Sequence, residues 1–269
     1  MTRSTHRLLA IILFAIALAG CATSPTGRSQ LKMFSPQKMA AMGDQSYAQL
    51  KQKTPIDHNA ADNRFVECVA HAITAVPGVE QAADGSWHVT VFKSDQINAF
   101  ALPGGNIGVY SGLLPVTKNG AQLAAVIGHE VGHVLAGHPN ERMSEQYATQ
   151  GGLSILSAFL GGGSSGGGQA IMSALGVGAQ VGILLPFSRA QESEADLIGL
   201  ELMARAGFDP RQSVQLWQNM TAASNGQRPN PFLSTHPSNN NRIQALEAHM
   251  NKAMQLYRQA PRHPSCPHP

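Results

Sequence analysis

The most constraining stretch of the 269-residue chain is VIGHEVGHVLAGH at residues 126–138, where His129 and His133 stand four apart and Glu130 directly follows the first. At about 100° per residue, helix positions i and i+4 lie on one face a turn apart. Two imidazoles placed there converge on one ion, and a glutamate one step round sits beside that ion without binding it. Residues 122–135 read as this helix. Ala124, Ala125, Val126, Ile127, Val131 and Val134 fill the phases the histidines leave, so it is largely buried, and Gly137 and Pro139 mark its end. The expected cofactor is one Zn2+ held in part by His129 and His133.

A catalytic zinc with two histidines needs a third protein ligand and an open position for water, and a carboxylate from another helix is one solution. The stretch SRAQESEADLIGLELMARAGFDP at 188–210 provides such a helix. Ser188 and Gln191 have capping-box spacing, Leu197, Leu200 and Met203 recur at helical period, and Gly207 with Asp209-Pro210 closes it and opens the next. Glu192 and Asp196 share one face. Glu192 is the expected third ligand, and Asp196 is expected to accept the outer N–H of a ligating histidine. Glu194 points about 200° away from Glu192 and is expected to be solvated. His138, five residues past His133, is expected to be a helix-end cation or cap rather than a ligand.

Before the histidine helix the period changes. WHVTVFKS at 87–94 alternates as a half-buried strand does, and NAFALPGGNIGVYSGLL at 98–114 adds a strand pair around Pro103-Gly104-Gly105. Asn98, Ala99, Phe100 and Ala101 form a short strand ending at Pro103. That pattern fits an edge whose free backbone groups pair with an extended peptide, with an ordinary interior strand as the alternative. The fold class expected is α+β and mainly helical: a zincin-type metalloprotease domain with a small β-sheet and an active-site helix carrying HExxH.

The two ends of the chain suggest its setting. Arg3, His6 and Arg7 precede an apolar run at 8–19 that is too short to span a bilayer and has the layout of a secretory signal. The run ends in Leu18-Ala19-Gly20-Cys21, which resembles the bacterial lipobox; Cys21 would then carry lipid, and Ala22 after it favours the outer membrane. A signal cut at another small-residue site is the alternative. The expected organisation is a lipoprotein signal peptide at 1–20, a lipid-anchored linker at 21–45, a catalytic domain at 46–256 and a Pro/His-rich tail at 257–269. Glycines at 161–163 and 166–168 make a membrane span across 151–187 a poor reading, and two short apolar helices joined by a loop fit better. Removing residues 1–20 takes away two arginines and no acid, so the net charge falls from +3 to +1 and no nucleic-acid partner is expected. Cys68 and Cys266 remain, in a compartment where disulfides persist, and sequence alone does not show whether they meet.

Together NAFALPGG at 98–105, HEVGH at 129–133, ESEAD at 192–196 and STHPSNNNRI at 234–243 resemble the zinc metallopeptidase family of the CAAX prenyl endopeptidases and HtpX, over about residues 65–256. The resemblance is greatest to its short periplasmic lipoprotein members, which are LoiP- and YcaL-like, with a BepA-like catalytic domain and no repeat domain. It implies that His129, His133 and Glu192 bind zinc and that Glu130 is the acid/base. His236 and Arg242 are the candidate second stabilisers of an oxyanion, on the expectation that Pro237 opens a helix carrying Arg242. The resemblance further suggests that His236 occupies zinc at rest and leaves it during work. The partners expected are unfolded or misassembled envelope proteins as substrates and a membrane surface reached through the lipid anchor, on the periplasmic face of the outer membrane. The competing readings are a zinc-stabilised chaperone that binds without cutting and a hydrolase of non-peptide bonds. Glu130 argues against the first, since a scaffold needs no base; the edge strand argues against the second.

Overall fold

The computed structural model describes residues 21–83, 85–159, 187–224, 231–236 and 241–269. The expected signal peptide and most of the 151–187 segment lie outside the described residues. Ahead of the described helices, β1 (Cys21–Thr23) pairs antiparallel with β2 (Ser29–Leu31), and α1 (Pro36–Lys53) follows. Ser35 opens α1 by accepting from the Lys38 amide, with Pro36 in the first turn, where its missing N–H loses nothing.

Residues 21–45, expected as a linker, are therefore folded. Polar composition reads as a tether when its groups have only water as partner, and here they have protein. The Gln30 side chain donates to Ala136 O at 2.9 Å, Met33 N donates to Ser144 Oγ at 2.8 Å, and Asn140 Nδ2 donates to Phe34 O at 2.7 Å.

Next come α2 (Ala60–Thr74), capped by Asn59, and the strands β3 (His88–Phe92), β4 (Ala99–Leu102) and β5 (Asn106–Tyr110). The sheet order is β3-β5-β4, with β3 parallel and β4 antiparallel to β5. The β4–β5 turn uses Gly104 and Gly105 at φ of 91° and 84°, a region that glycine enters without strain. Val91, Ala99, Ala101, Ile107 and Val109 face the main helical core. Phe92, Phe100, Leu102 and Tyr110 pack with Tyr47 of α1 in a second cluster. Because both faces are covered, β3 is buried at Thr90, Val91 and Phe92 in succession and does not show the alternating exposure its sequence predicts.

The histidines lie on α3 (Gly120–Ala136), capped by Asn119, whose side chain accepts from Gln122 N at 3.0 Å. This helix packs against α2, β4, α5 (Arg189–Arg205) and α6 (Arg211–Ser224). Gly137 adopts φ 71° and ends it, and α4 (His138–Phe159) starts at once. The predicted capping box of α5 is present: Gln191 N donates to Ser188 Oγ and Ser188 N donates to Gln191 Oε1. The short α7 (Pro231–Thr235) and the long α8 (Arg242–Gln259) complete the set described. Among the described residues no helix is long and apolar enough to cross a membrane.

The Pro/His-rich tail is tied down. Cys266 is disulfide-bonded to Cys68 of α2, 198 residues away in sequence, and His268 Nε2 lies 3.1 Å from Leu114 O. Closing so long a loop restricts the unfolded chain. Reduction should lower the unfolding free energy by about 2–5 kcal/mol, read from urea denaturation with and without reductant. Coincident curves would show that the bridge contributes nothing.

Candidate metal centre

The site is set by how closely α3 and α5 approach. Small residues recur at i, i+4 on both facing stripes, Gly128 and Gly132 on α3 and Ala195 and Gly199 on α5. A Cβ at Gly199 would lie 2.7 Å from His129 N, and one at Gly128 would lie 2.9 Å from Gly199 O. The helices touch backbone to backbone, and this lets the Glu192 carboxylate reach the two imidazoles.

His129, His133, Glu192 and His236 each offer one ligand atom, all within 4.8 Å of one another and all buried. His129 Nε2 lies 3.1 Å from His133 Nε2 and 3.2 Å from His236 Nδ1. Glu192 Oε1 lies 2.9 Å from His236 Nδ1 and 3.4 Å from His133 Nε2. Zn–N bonds of 2.0–2.1 Å in a tetrahedron place ligand atoms about 3.3 Å apart, so these spacings suit a single zinc. Ring nitrogens converging in a buried site repel unless a cation or shared protons lie between them, and N and O donors from His and Glu are a zinc set. The residues fit one zinc ion.

Around them lies an outer layer. Asp196 Oδ1 is 3.0 Å from His129 Nδ1. Arg242, at the start of α8, binds Asp196 Oδ2 through Nε at 2.5 Å and Glu192 Oε2 through Nη2, and stacks on the Trp217 ring at 3.8 Å. Its guanidinium thus bridges two carboxylates through Nε and Nη2. His236 follows α7, its N–H donating to Phe232 O at 2.8 Å, so it sits at the end of that helix; the helix start expected at Pro237 lies outside the described residues. Its Nε2 points to Glu130 Oε1 at 3.4 Å. Burial pushes the Glu130 carboxyl up, with His236 and His129 opposing.

β4 lies at the sheet edge beside α3. Tyr110 N donates to Asn98 O, so in this antiparallel register Asn98, Phe100 and Leu102 bond to β5 while the main-chain groups of Ala99 and Ala101 turn to the outer edge. The Ala101 backbone amide faces Glu130.

Two expectations are overturned here. Glu194 is not solvated but buried, accepting from Thr26 Oγ1 at 2.7 Å and Arg28 Nε at 3.2 Å. Burial opposes its ionisation, but hydrogen bonds from Ser24, Thr26 and His138 outweigh that and hold its carboxyl at about 2. The helical-wheel angle was right; the face opposite Glu192 is covered by the β1–β2 hairpin. His138 is no helix-end cation: it is fully buried, with Nδ1 2.8 Å from His133 Nδ1, and burial lowers its pKa to about 4. A continuous helix would turn His138 away from His133, whereas Gly137 breaks the helix and brings His138 back. Phe187, stacked on the His133 ring at 3.7 Å with the Arg142 guanidinium 3.6 Å from the Phe187 ring centre, and Glu141, which binds Arg28, carry no signal in the sequence. No local pattern marks them, because each owes its place to a distant element.

An HExxH helix, a glutamate from a second helix and an outer layer of fixed carboxylates define a protein of the metal-dependent peptidase class. The chain belongs to Peptidase family M48, whose profile matches residues 60–250. It is similar to the mitochondrial metalloendopeptidase OMA1 of Schizosaccharomyces pombe, 39% identical over 191 residues that cover 70% of this chain and 53% of that protein. It is also similar to the beta-barrel assembly-enhancing proteases of Yersinia pestis, 32% identical over 207 residues covering 76% and 42%, and of Escherichia coli, 29% identical over 209 residues covering 75% and 42%. The chain spans about half the length of the curated relatives it matches.

Proposed function

We propose that the chain is a zinc metalloendopeptidase of the bacterial envelope, of the short periplasmic lipoprotein kind, cutting extended or misfolded proteins. The observation that carries the reading is Glu130, buried beside the metal ligands and facing the outer edge of β4. Zinc, when bound, acidifies water and polarises a carbonyl. The β4 edge, through the Ala99 main-chain groups and the Ala101 carbonyl, aligns an extended substrate strand, with Asn98 and Phe100 fixing that edge to β5. Glu130 takes a proton as the nucleophile attacks and passes it to the leaving amine; a carboxyl raised by burial serves both directions. His129, His133 and Glu192 would hold the metal, with His236 as a fourth candidate ligand, and Asp196 and Arg242 hold the ligating side chains.

A catalytic zinc would need an open position, so His236 would hold the ion only in the resting protein and, when displaced, would be free to donate to a developing oxyanion. His236→Ala should reduce the protein ligands at rest from four to three, read by X-ray absorption, and lower turnover about 10²–10³-fold. A three-residue site in the unaltered protein, with unchanged turnover in the variant, would sink both roles.

The envelope location is supported by the lipobox-like approach to Cys21, by the Cys68–Cys266 bridge, which suits an oxidising compartment, and by similarity to beta-barrel assembly-enhancing proteases. Strand pairing demands an unfolded segment, hence the substrate class. The test is cleavage of unfolded casein by the purified protein, abolished by a chelator and restored by zinc, with Cys21→Ser releasing the protein from membranes. Binding of casein without cleavage by zinc-loaded protein would favour the chaperone reading, and a Cys21→Ser protein still on membranes would overturn the lipid anchor.

A further inference from the structure

The outer ring nitrogens of the two HExxH histidines are held differently. His129 meets a carboxylate directly in Asp196. His133 meets none: its Nδ1 faces His138 Nδ1 at 2.8 Å, and His138 Nε2 faces Glu194 Oε2 at 3.2 Å. A ring that ligates through Nε2 carries its proton on Nδ1. His133 therefore donates Nδ1–H to a bare His138 Nδ1, and His138 in turn donates Nε2–H to Glu194. The reverse order would place a hydrogen on His133 Nε2, where the metal binds. One carboxylate selects both tautomers.

Glu194 is itself held from the other end of the chain. In the turn between β1 and β2, Thr26 donates to its Oε1 from Oγ1 at 2.7 Å and from the backbone at 3.3 Å, and Arg28 Nε donates to Oε2 at 3.2 Å. The Arg28 guanidinium also binds both oxygens of Glu141, which accepts from Gln191 at 2.9 Å in the first turn of α5. The turn is closed by its own hydrogen bonds, with Ser24 N donating to Arg28 O at 2.8 Å and Arg28 N to Ser24 Oγ at 3.1 Å. We propose that this N-terminal turn is part of the metal centre: Thr26 and Arg28 are positioning residues that hold Glu194, and Glu194 acts through His138 to keep His133 Nε2 open to the metal. The inference rests on the zinc reading above. It places Thr26 and Arg28, a few residues past Cys21, in one continuous hydrogen-bonded path with a candidate metal ligand.

The test uses the full chain and reads zinc affinity by competition with a chromophoric chelator, together with the visible absorption of the cobalt-substituted protein. Glu194→Gln and Thr26→Val should each weaken zinc binding, Glu194→Gln by about 10–100-fold and Thr26→Val by less, and should shift the cobalt bands. Arg28→Lys should retain more affinity than Arg28→Met, since an ammonium keeps the charge but loses the fork that spans two carboxylates. Thr26→Val, nearly the shape of the original, decides the matter if Glu194→Gln fails to fold. A merely structural role would lower the unfolding midpoint while leaving zinc affinity and cobalt bands unchanged at temperatures where every variant is folded, and that result would overturn the proposal. Absence of zinc binding by the unaltered chain would overturn the metal reading and this inference with it.

Discussion

Glu130→Gln should keep its zinc and lose peptide cleavage by about 10²–10⁴-fold. The substitution keeps the side chain's shape and leaves His129, His133, Glu192 and His236 in place, so every candidate ligand survives. What disappears is the group that accepts a proton within reach of the metal. The fold should not suffer, because Glu130 is a buried carboxyl whose ionisation burial already opposes, and an amide there carries no charge to desolvate. Metal content by elemental analysis and cleavage of unfolded casein check the two halves separately. Full metal content with undiminished cleavage would remove Glu130 from the mechanism; loss of metal would mean that it helps bind the ion.

The second large effect is expected from one methyl group. In Gly199→Ala the new Cβ falls 2.7 Å from His129 N and close to the backbone of Gly128, on a helix that has no flexible side chain there to move aside. The helices must part. Overpacking of this kind costs about 1–3 kcal/mol, and the displacement carries Glu192 away from His129 and His133. A shift of about 1 Å at such a site costs around a hundredfold in rate. Urea denaturation and zinc affinity measured on the same variant test it. Wild-type values for both would show that the crossing tolerates a side chain and that close approach does not set the site.

The local elements were legible because each rests on interactions within a few residues. The period of residues 122–135, the cap spacing at Ser188 and Gln191 and the glycines at 104, 105 and 137 depend on neighbours along the chain, and the corresponding elements are found. The four-residue spacing of His129 and His133, and of Glu192 and Asp196, likewise follows from helix geometry alone. These patterns determine which faces carry the donors and, with the HExxH arrangement, the metal chemistry they suit. They do not determine what stands opposite. Glu194 read as solvated because nothing near it in sequence covers it; the β1–β2 hairpin does so from 166 or more residues away. His138 read as a cap because its direction depends on the break at Gly137 and on a partner in α5. The pairing of Arg242 with Asp196 and Glu192 was not legible, because these carboxylates are 46 and 50 residues upstream. Side-chain periodicity records burial and direction along one element, whereas the outer layer of this site is made by charges that pair across elements, and only the packing of α3, α4, α5, α8 and the N-terminal hairpin decides those pairs.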